Sequence, residues 1–216
     1  MAALPGRNRR NMTIEEMKQE VCDYAKQSYS EKLFAGTSGN LSLFDGDTMV
    51  ITPTSVAYET ITANDMVAMK LDGTVLNGKY QPSSEWRMHA AIYEEKPDVR
   101  AVIHTHSPYA TAFAVNHMNI PTILIEMVPF LGGDVPLAEF AVPGTKEVGL
   151  EAVKVLTERT GCLLANHGVL TVGDTLARAH IRAVYVEDAA KICSIAMGHG
   201  DIVTISEEHI SAMRGK

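Results

Sequence analysis

His104 and His106, in His104-Thr105-His106, directly follow the apolar run Ala101-Val102-Ile103. Residues two apart on a strand point to the same face, so both imidazoles can reach one ion. A third imidazole, His167 in Ala165-Asn166-His167-Gly168, also follows a short apolar run, Leu163-Leu164, and precedes a glycine that permits a tight turn. Catalytic Zn²⁺ sites use three protein ligands and keep one position open. The three histidines therefore predict a metal centre, although a His-x-His pair by itself is equally compatible with ordinary strand-end histidines.

Hydroxyl-rich turns form a second group. Pro82-Ser83-Ser84-Glu85 puts two hydroxyls and their backbone N–H groups at the start of a predicted helix, where unsatisfied amides and the helix dipole favour a phosphate. The same residues are explained without a ligand if Ser84 caps the helix and Glu85 complements its dipole. Thr37-Ser38-Gly39-Asn40 and Thr52-Pro53-Thr54-Ser55 are turns of the kind that bind oxyanions or only turn the chain.

These residues need elements to position them. Thr13 and Glu16 form a capping-box pattern that opens an amphipathic helix through Met17, Val21, Tyr24 and Ala25, ending near Ser30. Short β-prone runs then arrive in antiparallel pairs: Leu41–Leu43 with Met49–Thr52, and Met66–Met69 with Leu71–Leu76 around the Asp72-Gly73 turn. Helices are predicted over Ser84–Glu95, Ser107–Val115, Lys146–Thr160 and Thr175–Met197. Strands are predicted over Ala101–Ile103, Ile120–Val128 and Leu163–Val172. This order predicts an α/β fold, a three-layer α/β/α sandwich with a mostly antiparallel central sheet. Residues 13–216 are expected to form a single domain behind a disordered tail over residues 1–12.

Composition narrows the function. With 216 residues, 46% of them hydrophobic, the chain can bury a sizeable core. A net charge of -7 and the absence of any basic cluster beyond Arg7, Arg9 and Arg10 exclude a nucleic-acid footprint. Cys22, Cys162 and Cys193 are odd in number and widely spaced, which predicts buried, reduced thiols rather than a disulfide framework or a thiolate metal site. No apolar run approaches the ~20 residues of a membrane span, and the first residues lack the apolar core of a secretory signal. A cytoplasmic enzyme without membrane contact is expected.

Five pieces in order, Gly36-Thr37-Ser38-Gly39-Asn40-Leu41-Ser42, Ile51-Thr52-Pro53-Thr54-Ser55, Pro82-Ser83-Ser84-Glu85-Trp86, His104-Thr105-His106 and Ala165-Asn166-His167-Gly168, resemble the class II aldolase/adducin family from about Ile14 to the C-terminus. The similarity is greatest to the L-fuculose-1-phosphate aldolases within it. The resemblance implies metal-dependent cleavage of a ketose 1-phosphate to dihydroxyacetone phosphate and an aldehyde. By the same resemblance His104, His106 and His167 hold Zn²⁺, or another divalent cation such as Mn²⁺. Gly39, Asn40, Thr54, Ser55, Ser83 and Ser84 match the phosphate-binding positions, with Ser55 standing where a glycine is often found. Glu85 matches the catalytic acid/base of the aldolase branch, where epimerases look more like Ser-Ser-Asp.

Fuculose-phosphate aldolases carry a proton-donating tyrosine in the stretch that reads Ile123-Leu124-Ile125-Glu126-Met127 here, and the placement of a one-residue insertion puts Glu126 or Ile125 at that position. The dehydratase branch carries a glutamate followed by methionine there, so Glu126 is the expected donor, the other reading being a surface or ion-paired carboxylate. The family also implies a homotetramer with active sites between subunits. Other readings on this scaffold are L-ribulose-5-phosphate 4-epimerase, methylthioribulose-1-phosphate dehydratase and a non-catalytic adducin-like module. Retention of the three histidines and Glu85 speaks against the last.

Overall fold

The computed structural model describes residues 12–214. The expected tail lies outside them except for Met12, which packs against a core cluster rather than hanging free. Thr13 Oγ1 accepts the Glu16 amide (3.2 Å) while the Glu16 carboxylate accepts the Thr13 amide (2.8 Å), the reciprocal cap read from the sequence. Helix α1 runs from there over Ile14–Ser30. The two hairpins follow as β1 (Asn40–Phe44), β2 (Met49–Ile51), β3 (Val67–Met69) and β4 (Val75–Asn77), then α2 (Trp86–Glu95), β5 (Ala101–Thr105) and α3 (Pro108–Val115). The remaining elements are α4 (Met127–Leu131), β6 (Leu137–Ala138), α5 (Glu147–Val155), β7 (Gly161–Leu164), β8 (Gly168–Gly173), α6 (Leu176–Met197) and α7 (Glu207–Arg214).

The strands make one eight-stranded sheet in the order β4-β3-β2-β1-β5-β8-β7-β6. Every neighbouring pair is antiparallel except β6 with β7. Period-two alternation sends side chains to opposite faces, and the buried clusters follow it. Leu41, Leu43, Val50, Ala68, Ala101 and Ile103 meet Met17 and Val21 of α1 and Ala179 and Ala183 of α6. Met49, Ile51, Val67, Met69, Val102, Leu170 and Val172 instead meet Met88 and Ile92 of α2 and Val148 and Ala152 of α5. Further along the first face, Leu163 and Val169 pack with α3, α4 and α6. The result is the α/β/α sandwich that the sequence predicts. Among the described residues no helix is long and apolar enough to cross a membrane. Cys22, Cys162 and Cys193 are buried and unpaired.

Three predicted elements come out differently. Ile120–Val128 is not a strand: Ile120 makes one isolated bridge to Val135, and the chain turns into α4. The run has no two-residue alternation, Pro121 removes a ladder donor, and Met127, Val128 and Leu131 are buried at helical spacing. Leu163–Val172 is two strands, because Asn166 adopts a left-handed conformation (φ 54°) between β7 and β8. The helix predicted over Lys146–Thr160 ends at Val155. Strand β6 and helix α7 lie in stretches without a clear periodic signal.

Candidate active site

Antiparallel register sets Asn40 of β1 opposite His104 of β5, and Ser42 opposite Val102, so Asn40, Ser42 and His104 share the face covered by α2. Glu85 is the residue from which α2 springs; the helix begins at Trp86 rather than Ser84, and Glu85 occupies the cap position. Two strand residues advance ~6.6–6.8 Å and four helix residues ~6 Å. A helix lying along a strand can therefore match i, i+4, i+8 with i, i+2, i+4. Glu85, His89 and Tyr93 do this against Asn40, Ser42 and Phe44. Asn40 Nδ2 donates to Glu85 Oε2 (2.9 Å), and His89 Nε2 meets Asn40 Oδ1 (2.6 Å). Ser42 Oγ lies 2.7 Å from both His89 Nδ1 and the Tyr93 hydroxyl, and the Tyr93 ring stacks on Phe44.

The three histidines converge as predicted. His104 and His106 Nε2 atoms are 2.8 Å apart, and one ligand atom from each of Glu85, His104, His106 and His167 lies within 4.8 Å of all the others. Glu85 Oε2 is 3.2 Å from His104 Nε2, and Oε1 is 3.2 Å from His167 Nε2. His104 Nδ1 meets the Val169 carbonyl at 2.8 Å. A carbonyl only accepts, so Nδ1 donates to it and Nε2 is the nitrogen that faces the cluster, the orientation a ligating histidine needs. Burial, with the neighbouring His104 and His167, pushes His106 down to about 4, so its ring is neutral at neutral pH. Burial opposes ionisation of Glu85, but His104 and His167 outweigh it and hold the carboxyl well below the usual range.

Glu85 Oε1 is buried with only the 3.2 Å approach of His167 Nε2 to satisfy it, and two imidazole nitrogens face each other at contact distance. A cation between these atoms would resolve both features, and three imidazole nitrogens with one carboxylate oxygen suit Zn²⁺. The residues fit a divalent metal.

The cluster forms one wall of a cavity of about 340 Å³. Gly39, Asn40, Thr54, Ser55, Ser83, Ser84, Glu85, His106 and His167 line it, and His104 is fully buried at its base. An isolated bridge between Pro53 and Pro82, with Ser83 N donating to Thr52 O (3.0 Å) and Thr54 N to Gln81 O (3.0 Å), lays the two hydroxyl-bearing turns side by side. Gly39 is required: its φ is +87°, and a Cβ there would stand 2.4 Å from Phe34 Cδ1. Ser55 also has a left-handed backbone (φ 58°), the conformation that favours glycine. No Lys or Arg lines the cavity among the described residues.

Glu126 is not brought to this cavity. It is half-buried at the start of α4, and among the described residues its carboxylate has no partner. The sequence reading missed Pro143 and Gly144, which close the cavity from the loop before α5 and whose Pro-Gly pair is a turn signal. It also missed His89 and Tyr93, for which only their i, i+4 spacing after Glu85 was available.

Comparison with known proteins agrees with this geometry. The class II aldolase and adducin N-terminal domain profile matches residues 19–194. The chain is 37% identical over 175 residues to the 5-methylthioribulose-1-phosphate/5-deoxyribulose-1-phosphate aldolase of Rhodospirillum rubrum, covering 81% of this chain and 79% of that one. It is 32% identical over 206 residues to the L-fuculose phosphate aldolase of Escherichia coli, covering 95% of each. A solved L-fuculose 1-phosphate aldolase matches with a TM-score of 0.88 at 37% identity, over 94% of this chain and 96% of that one. With a family profile spanning most of its length and the same fold around a three-histidine, one-glutamate cluster, this chain belongs to the class II aldolase and adducin family.

Proposed function

We propose that the protein is a zinc-dependent aldolase that reversibly splits a ketose 1-phosphate into dihydroxyacetone phosphate and an aldehyde. The observation that carries the reading is the convergence of Glu85 with three imidazoles on one wall of a cavity also lined by Ser83, Ser84, Thr54 and Ser55. Relatives named as aldolases of 5-methylthioribulose 1-phosphate, 5-deoxyribulose 1-phosphate and L-fuculose phosphate support the substrate class.

Phosphate binding falls to the hydroxyls and backbone amides of Ser83, Ser84, Thr54 and Ser55, with Gly39 and Asn40. A divalent ion held by His104, His106 and His167, Zn²⁺ or alternatively Mn²⁺, would supply Lewis-acid stabilisation of the negative charge that develops on the substrate oxygens. In the cleavage direction the proton leaves the C4 hydroxyl and the C3–C4 electron pair passes to C3, where Glu85 delivers a proton. In the synthetic direction Glu85 removes that proton. Glu126 exchanges the proton at the C4 oxygen. Because it does not line the cavity of its own chain, it acts there from a neighbouring copy. Exposed Ile125, next to Glu126, and exposed Phe140 and Val142, next to Pro143 and Gly144, give both regions apolar surface for such an assembly. A homotetramer with sites between subunits fits this arrangement.

The test is a panel of ketose 1-phosphates incubated with metal-loaded protein and assayed for dihydroxyacetone phosphate. Release from at least one, abolished by chelation and restored by Zn²⁺, is expected. Interconversion of pentulose 5-phosphate epimers without cleavage would make the protein an epimerase. Loss of water from a thiopentulose phosphate would make it a dehydratase, and metal-free, inert protein would be the mark of a binding module.

A further inference from the structure

We propose that His89 is a positioning residue for Glu85, acting through Asn40. The inference rests on the reading of Glu85 as the proton-moving group. His89 does not line the cavity, and it is fully buried. Its hydrogen bonds nevertheless determine how the Glu85 carboxylate is held.

The donors from Asn40 to Ser42 follow from the acceptors they meet. Asn40 presents its NH₂ group to Glu85 Oε2 at 2.9 Å. Asn40 Oδ1 therefore points at His89 Nε2 across 2.6 Å, and since an amide oxygen only accepts, His89 Nε2 carries the ring proton. A neutral ring protonated at Nε2 is an acceptor at Nδ1, which receives the Ser42 hydroxyl at 2.7 Å. Ser42 Oγ also lies 2.7 Å from the Tyr93 hydroxyl, which donates to the Ser42 carbonyl at 3.1 Å. Burial pushes His89 down to about 3, which keeps the ring neutral and this order intact at neutral pH. Four groups, Ser42, His89, Asn40 and Glu85, thus line up with one polarity, each locking the rotamer or tautomer of the next.

The chain ends on one oxygen only. Glu85 Oε2 takes the Asn40 hydrogen bond, whereas Oε1 faces His167 Nε2 at 3.2 Å. An anchored oxygen keeps the carboxylate aimed for proton transfer. Asn40 is also committed: its oxygen and one N–H are used inside the protein, so a bound phosphate is left the second N–H and the backbone.

The test uses the full-length, metal-loaded protein and dihydroxyacetone phosphate alone, whose C3 proton exchanges with D₂O without any aldehyde. His89→Leu should slow exchange at saturation by about 10–100-fold, the range in which outer-shell partners act, with metal content and KM unchanged. His89→Gln, whose amide nitrogen reaches the Nε2 position, should recover most of the rate, whereas His89→Asn, reaching only the Nδ1 position, should not. Asn40→Ala should cost as much as His89→Leu, and the double variant no more than either. A separate readout is the wild-type nitrogen spectrum, where His89 should be protonated at Nε2 and bare at Nδ1.

Wild-type exchange in His89→Leu, additive losses in the double variant or the opposite tautomer would each overturn the inference. If His89→Leu does not fold, equal rates in the Gln and Asn variants would do so. Should Glu85→Gln itself keep exchange, the role of Glu85 falls; should Glu85→Gln lose exchange while His89→Leu keeps it, only the positioning role falls.

Discussion

Gly168 sits against Thr105 so closely that a Cβ on the glycine would stand 2.4 Å from the Thr105 carbonyl oxygen. It would also come within 3.2 Å of His104 Cε1 and 3.3 Å of His106 Cδ2. The tight turn expected of this glycine is made instead by Asn166, whose φ is 54°. Gly168 is there for space, letting β8 approach β5 beside the His104 and His106 rings. Gly168→Ala should therefore push the strands apart, destabilising the fold by about 1–3 kcal/mol as overpacking does and weakening metal binding. Thermal melts and a metal titration check both, and unaltered metal affinity would mean that the rings tolerate the shift.

His104→Ala, His106→Ala and His167→Ala should each abolish turnover and lower bound metal, since a three-ligand site loses most of its affinity with one imidazole. Metal analysis of each purified variant decides the matter residue by residue. An alanine variant that keeps its full metal complement removes that histidine from the ligand set.

Because no Lys or Arg lines the cavity among the described residues, phosphate must be held by neutral donors close to the ionised Glu85. The cation should then supply much of the attraction, as the largest local charge in such a site. Removing the metal should weaken binding of inorganic phosphate to the wild type, while Ser83→Ala should weaken it with metal still bound. Calorimetric titrations with and without metal test this, and equal affinities would place the phosphate away from the metal wall.

His89 is held neutral, down to about 3, by burial. A depressed histidine binds its proton in the unfolded chain before it does so in the folded one. Stability must therefore fall as pH drops below the unfolded value near 6.5, until the folded value is reached. Over that window His89 should contribute a loss of about 1.4 kcal/mol per pH unit. Denaturant melts of wild type and His89→Gln between those limits should differ in slope by this amount, the glutamine protein being the flatter. Parallel slopes would show that His89 ionises in the folded state.

Residues whose role depends on local spacing were legible in the sequence. His104 and His106 share a face because strands alternate, and Ser83 and Ser84 sit before a helix whose start can be read within one or two residues. The apolar run Ile120–Val128 was misleading because continuous hydrophobicity has no period, and burial in a helical turn looks the same as burial in a strand. Asn40 and His89 lie far apart in the chain and meet only because a helix repeat of four matches a strand repeat of two. That relationship needs the packing of α2 on β1, which no window along the chain contains. Glu126 could be aligned but not located, since its distance from the cavity depends on how α4 folds.

The role proposed for Glu126 has a consequence that separates action within a chain from action between chains. Glu126→Gln should keep metal and phosphate binding and should keep exchange of the C3 proton, yet lose about 10²–10⁴-fold in cleavage. Glu85→Gln should lose both exchange and cleavage. If the C4 proton is handled within one chain, mixing the two inactive variants restores nothing, since every chain carries one lesion. If Glu126 serves the cavity of a neighbouring copy, a site is intact whenever an unaltered Glu85 faces an unaltered Glu126 across the interface. In a randomly reassembled cyclic oligomer with equal inputs, about one quarter of sites meet that condition. Subunit exchange followed by a cleavage assay should therefore recover about a quarter of wild-type activity. Absence of recovery despite demonstrated mixing, or full activity in a sedimenting monomer, would return the proton donor to the chain that holds the metal.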